Sequence, residues 1–287
     1  MINKNIVFFG GDKRQLFAAS ALSEVYREVR LLGFDMLISE GRLIIDNDVG
    51  CLGNADLVVM PIVGVKNGTV QTLFSDKEYK LDGETLPLLK DKLIAAGKGE
   101  SFESFGLRVY DLLRREDFTL KNAYLTAEGA VSVAMDSYEG SIANAKILVI
   151  GYGRIGKYLS RMLRALGASV TVSSRSEIKR AEIYCDGNRA VSTSALLSIS
   201  DYDIVFNTAD AVILDEKLLE NSDFLTLIID LASGKGGTDF AAAEKLGFCA
   251  VHALGLPGKC SPKTAGEIIA DTILTIPEEE YAWQRRI

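Results

Sequence analysis

Residues 146–163 read KILVIGYGRIGKYLSRML, and three glycines in them carry the chemistry. Gly151, Gly153 and Gly156 stand in the spacing G-x-G-x-x-G, between an apolar β-type run and a helical, amphipathic one. That context suits a dinucleotide. Gly151 permits the tight turn, Gly153 lets a pyrophosphate approach the backbone, and Gly156 lets the helix lie close to the strand. The helix opens at Arg154 and Ile155, so its first N–H groups point at the phosphates.

About 20 residues on, where such a fold holds the adenosine ribose, the chain reads ASVTVSSRSE (168–177). A site for NAD(H) places Asp or Glu here to accept from the 2′-hydroxyl. This chain places Ser173, Ser174, Arg175 and Ser176 there, with the first acid only at Glu177. A guanidinium among hydroxyls holds a 2′-phosphate through charge-assisted bonds, whereas a carboxylate repels it. NADP(H) is therefore the expected cofactor, with Lys179 and Arg180 near the same corner. Two later strand ends are expected to border the nicotinamide: NTAD (207–210) and DLASGKGGTD (230–239). Asn207, Thr208, Asp230 and Ser233 are candidates by position, although Asp230 equally suits a capping role.

The elements that must position these residues alternate. NIVFF (5–9) reads as a buried strand, and Asp12 as the cap of a helix through about Leu32. DLVVMPIVG (56–64) reads as a strand, LPLLKDKLIAAG (86–97) as a helix and LRVYDLL (107–113) as a strand. A small-residue helix over 119–144 connects to the fingerprint strand, and later apolar runs lie at 203–209, 225–232 and 248–254. Ser261-Pro262 starts a last helix through about Leu274. The pattern predicts an α/β protein of two Rossmann-like doubly wound domains, the second carrying the dinucleotide fingerprint. The expected division is 1–118 for a substrate domain, 119–144 for the connecting helix and 145–258 for the NADP-binding domain. Residues 259–287 then form a C-terminal helix packing back on the first domain.

The 287 residues are 48% hydrophobic and 25% charged, with a net charge of −7. That balance argues against nucleic acid or an anionic membrane as partner, since both select basic surfaces. Four scattered cysteines, with no C-x-x-C and no pairing with the single histidine, predict reduced thiols and no metal centre. MINKNIVFFGG is broken too soon by charge for a signal peptide, and no run reaches a membrane span. A soluble cytoplasmic protein is expected. The C-terminal EEEYAWQRRI suits docking on a partner or on a second copy in a homo-oligomer, or a frayed tail.

Five segments in order, GGDKRQ (10–15), GYGRIG, SSRS, DLASGKGGTD and LPGKCSPKTAG (256–266), resemble the dipicolinate synthase A-subunit family across nearly the whole chain. GYGRIG is common to many dehydrogenases; the first and last segments are the specific ones. The resemblance implies NADP-linked oxidation of a dihydrodipicolinate-level precursor to pyridine-2,6-dicarboxylate. It also implies a partner, the flavoprotein-like B subunit, and the mother cell of a spore-former as location. A small ring dicarboxylate needs cations or N–H groups at both ends. Lys13 and Arg14 at one helix start, and Lys259 and Lys263 around another, are the candidates, with Thr126 facing a cleft from the connecting helix. His252, Glu128 and Asp230 are alternative bases; His252 also fits a plain core residue of an apolar strand. A 2-hydroxy-acid or alanine-type dehydrogenase shares this plan, and a non-catalytic NADP-sensing domain is a third reading.

Overall fold

The computed structural model describes residues 1–38 and 41–276. Two compact units divide the chain, Met1–Asn122 together with the chain from Ser261, and Ala123–Cys260.

The first unit runs β1 (Ile2–Phe9), α1 (Lys13–Ser23), β2 (Tyr26–Leu32), β3 (Leu43–Asp46), β4 (Leu57–Val59), β5 (Val65–Lys66), β6 (Thr69–Val70), β7 (Tyr79–Lys80), α2 (Leu86–Leu89), β8 (Leu93–Ala96) and β9 (Val109–Asp111). Its parallel sheet has the order β3-β2-β1-β4-β8-β9, and β5-β6-β7 form a small antiparallel sheet of their own. In β1 the side chains alternate between two cores. Ile6 and Phe8 face one cluster, Val7 and Phe9 the other, so the strand is apolar throughout because both faces are covered.

α3 (Glu116–Ser137) leads on to β10 (Lys146–Ile150), α4 (Arg154–Ala165), β11 (Ser169–Ser174), α5 (Glu177–Cys185), β12 (Arg189–Ser192), β13 (Ile204–Asn207), α6 (Glu216–Glu220), β14 (Leu227–Asp230), α7 (Phe240–Lys245), β15 (Ala250–His252), α8 (Leu256–Cys260) and α9 (Pro262–Leu274). The second parallel sheet has the order β12-β11-β10-β13-β14-β15. Numbered within each six-stranded sheet, both run 3-2-1-4-5-6, the doubly wound order with its reversal beside the first strand. Ile147 and Val149 enter one core, Leu148 and Ile150 the other.

Three expectations are corrected. The helix expected to reach Leu32 ends at Ser23; Tyr26–Leu32 is a strand pairing Val29 with Ile6. Its Val29, Leu31 and Leu32 are buried as a central strand requires, and their spacing also happened to match a helix. The run 86–97 is one helical turn followed by β8, whose four residues are all buried. The connecting helix covers Glu116–Ser137 rather than 119–144: Glu116 and Asp117 favour its positive end, and turns follow it through Gly140 to Asn144, at φ 69°. Its later part belongs to the second unit, because Ala127, Ala130 and Ala134 pack with Ile147 and Val149.

In the first unit α9 lies against α1. A Cβ on Gly266 would sit 2.6 Å from both Arg14 O and Phe17 Cβ, so the close approach of these helices needs glycine. Among the described residues no helix is long and apolar enough to cross a membrane, and no cluster of His, Cys, Asp or Glu is gathered that could hold a metal ion. The EEEYAWQRRI segment lies outside the described residues.

Candidate dinucleotide site and substrate residues

The glycine turn follows β10. Gly151 has φ 97°, and a Cβ there would meet Thr208 Oγ1 at 2.5 Å. That hydroxyl donates to Ile150 O at 2.9 Å, fastening the ends of β10 and β13 together at the sheet's reversal point. A Cβ on Gly156 would lie 2.3 Å from Gly151 O, so α4 can start here only without a side chain. Gly153 is different. A Cβ there would have no protein atom within 4 Å, and as N-cap it makes no side-chain hydrogen bond to the helix. The approach to the first N–H groups of α4 is therefore open, which is the fit a pyrophosphate requires. Arg154 is exposed on this first turn, while Ile155 packs on the core.

Tyr152, between the first two glycines, is buried and donates from its hydroxyl to Asp186, beyond the end of α5. Burial, then the Asp186 carboxylate, pushes the phenol well above its ordinary value. Asp186 is in turn held below the usual carboxylate range by that hydroxyl and by Arg161. The glycine turn is thus tied to α5.

At the end of β11, Ser173 is buried and accepts from Thr193 at 3.2 Å; Ser174 accepts from Ser176 N at 3.3 Å. Ser176 caps α5 by accepting from Lys179 N at 3.3 Å. These hydroxyls build the turn. Arg175 is exposed and lines a cavity of about 640 Å³ with Thr193, Ser194, Leu197, Val212 and Lys217. Leu197 and Val212 are apolar yet 80% and 56% exposed, which suits walls for a planar base. Sequence reading missed Thr193 and Ser194. Their signal was the second hydroxyl-rich end, VSTS (191–194), on the strand paired with β11.

Asn207 and Asp230 end β13 and β14 in register, both fully buried. Asp230 Oδ1 accepts from Asn207 Nδ2 (3.1 Å) and Ala232 N (2.9 Å); Oδ2 accepts from Gly237 N and Thr238 Oγ1, both at 2.7 Å. Four donors saturate a carboxylate, so Asp230 fixes the 231–238 loop and has no lone pair left for a substrate proton. Ser233 is exposed on that loop. His252, register partner of Asp230, is half-buried, with Nε2 3.0 Å from Ala232 O and its ring 5.0 Å from that of Phe240. A carbonyl only accepts, so Nε2 carries the proton and Nδ1 is the basic position of the neutral ring.

The substrate candidates lie at the starts of α1 and α9, on α8 and on α3. Arg14 is buried and engages Asp12 through both carboxylate oxygens, at 2.7 to 3.1 Å, and Asp12 also caps α1 by accepting from Arg14 N. The anion expected at this helix start is supplied by the chain itself. Lys13, Lys259 and Lys263 are exposed. Thr126 is half-buried and Glu128 exposed on α3. A separate cavity of about 490 Å³ in the first unit lies beyond the ends of β1 and β4, lined by Gly11, Asp12, Pro61, Thr72 and Lys77.

Two parallel α/β units, one presenting an open glycine-helix cradle and a cavity of about 640 Å³ just past the end of β11, are the plan of an oxidoreductase that uses a nicotinamide dinucleotide. Comparison with known proteins agrees. Residues 5–102 match the family described as the N-terminal domain of the dipicolinate synthase A subunit, and residues 117–235 the D-isomer specific 2-hydroxyacid dehydrogenase NAD binding domain. The dipicolinate synthase A subunit of Bacillus subtilis is 34% identical, covering 96% of this chain and 97% of its own. Crystal structures of the dipicolinate synthase A subunit superpose closely. That from Bacillus halodurans gives a TM-score of 0.86 at 31% identity, over 96% of this chain and 98% of that one. That from Bacillus subtilis gives 0.84 at 31% identity, over 99% and 98%. The chain belongs to the dipicolinate synthase A-subunit family.

Proposed function

We propose that the chain is an NADP-dependent oxidoreductase that converts a dihydrodipicolinate-level ring to pyridine-2,6-dicarboxylate, acting with a flavoprotein-like B subunit in the cytoplasm of a sporulating mother cell. The observation that carries the cofactor preference is Arg175, exposed in the wall of the adenosine cavity at the end of β11, where an NAD site has a carboxylate. The cavity's own carboxylate, Asp215, is engaged in capping α6 through Leu218 N at 2.9 Å.

The dinucleotide, when bound, supplies a hydride acceptor. Gly151, Gly153, Arg154, Ile155 and Gly156 provide its phosphate cradle; Arg175 with Thr193 and Ser194 takes the 2′-phosphate end. Asn207, Thr208 and Ser233 border the nicotinamide end, and Asp230 holds that frame rigid. The ring loses a hydride and a proton, and the aromaticity gained drives the change, so positioning matters more than a strong base. His252 Nδ1 is the proton acceptor favoured here, with Glu128 the alternative; Asp230 is excluded by its saturated oxygens. Lys13, Lys259 and Lys263, with Thr126, are the groups assigned to the substrate carboxylates, since Arg14 is spent on Asp12.

Thermal shift with NADP(H) and NAD(H), alongside Arg175→Ala, tests the reading, because a ligand at free concentration L that binds only the native state stabilises it by RT ln(1 + L/Kd), so at one concentration the tighter ligand raises the midpoint further. A larger shift with NADP(H) that collapses in the variant supports it. Equal shifts overturn the cofactor assignment.

A further inference from the structure

Two more cations follow Arg175 on the first turn of α5, and both are turned onto backbone carbonyls. Lys179 Nζ lies 3.5 Å from Tyr152 O in the glycine turn. One guanidinium nitrogen of Arg180 donates to two consecutive carbonyls, Ser174 O and Arg175 O, each at 3.0 Å. The structure assigns Arg180 as a positioning residue that determines dinucleotide specificity. It holds the Ser174–Arg175 backbone so that Arg175 meets the 2′-phosphate, without touching the ligand itself. This rests on the NADP reading of Arg175.

Carbonyl oxygens carry partial negative charge, and two of them at a corner built for an anion oppose its purpose. Pairing both with a guanidinium fixes their direction and places a second positive charge behind the first. The bonds that serine side chains make in the turn are longer: Ser176 N to Ser174 Oγ and Lys179 N to Ser176 Oγ are both 3.3 Å. Arg180 therefore supplies the shortest side-chain ties in this turn. Released from it, the Arg175 backbone must be ordered at the moment of binding, and that cost falls on affinity. The cost is selective. The pyrophosphate and nicotinamide ends rest on Gly153 and on the Asn207–Asp230 frame, and NAD(H) brings only a neutral 2′-hydroxyl to this corner, so it draws on Arg175 far less than NADP(H) does.

The test is titration calorimetry of the full chain with NADP+ and with NAD+ at one ionic strength, for the native protein, Arg180→Met, Arg180→Lys and Arg175→Ala. Losing a charge-assisted tie in Arg180→Met is expected to weaken NADP+ about tenfold and NAD+ less than about twofold. Arg180→Lys should recover most of the preference, since a single nitrogen makes both contacts. Equal weakening of both dinucleotides in Arg180→Met, or an unchanged ratio, overturns the assignment. A native protein with no preference removes the NADP reading itself. A preference lost in Arg175→Ala but kept in Arg180→Met leaves that reading standing and removes this inference alone.

Discussion

The side-chain amide of Asn207 donates to the carboxylate of Asp230 at 3.1 Å, between two fully buried residues that end neighbouring parallel strands. The bond ties the ends of β13 and β14 together. From Asp230 the ties run through Ala232 to His252 on one side, and through Gly237 to the backbone of Ile213 and Leu214 on the other. Asp230→Ala strands four donors. At about 1–3 kcal/mol for each buried donor left unpaired, a loss of at least about 3 kcal/mol in urea unfolding is expected. Asp230→Asn also destabilises, because one side-chain atom becomes a donor facing donors.

Two glycines of the fingerprint should separate folding from binding. Gly156→Ala forces a Cβ to 2.3 Å from Gly151 O, so both the unfolding midpoint and dinucleotide affinity should fall. Gly153→Ala meets no protein atom within 4 Å and keeps an ordinary φ of −85°. Its melting temperature should stay at the native value while binding weakens about tenfold or more, because the new methyl occupies the path of the pyrophosphate. Paired melting and binding curves check both.

Asp12 and Arg14 are a structural pair by this account. Asp12→Ala removes a helix cap, about 1 kcal/mol, and leaves a buried guanidinium unpaired. In a double-mutant cycle on stability, Asp12→Ala with Arg14→Ala should cost clearly less than the sum of the single changes. Lys13→Ala should leave stability unchanged and raise the KM for the substrate, which separates the exposed cation from the buried one.

Cysteine reactivity follows burial. Cys185, Cys249 and Cys260 are exposed, whereas Cys51 is buried, and that burial, reinforced by the nearby Asp46 charge, pushes its thiol from 9.0 up to about 12. A thiol reagent at pH 8 should label three cysteines in the native protein and the fourth only after unfolding. The folded value lies above the unfolded one. Cys51 therefore contributes its full stabilisation below about pH 9, and loses it progressively as pH rises toward 12. Urea midpoints across the alkaline range check the direction.

Much of this was legible in residue order. A strand, three spaced glycines and an amphipathic helix admit few other folds, and the expected second strand does end at SSRS, in β11 (Ser169–Ser174). Short apolar runs were less informative. Leu93–Ala96 reads equally as helix or strand, and only its place between β4 and β9 decides. Side-chain partners were not legible at all. Arg14 reads as an anion clamp or a surface charge until its bonds to Asp12 are seen, and Asp230 as a base or a capping residue until four donors are found around it. Both ambiguities have one cause: a charged residue at a helix start or strand end serves the backbone or a ligand, and sequence spacing does not distinguish the two.

The most direct test is a turnover assay with the dihydrodipicolinate-level precursor, following reduced dinucleotide and pyridine-2,6-dicarboxylate together, with NADP+ or NAD+ and with the B subunit present. The account predicts one reduced cofactor for each aromatic ring formed, with NADP+ favoured and the preference lost in Arg175→Ala. Ring formation without cofactor reduction, or equal rates with both dinucleotides, would contradict it.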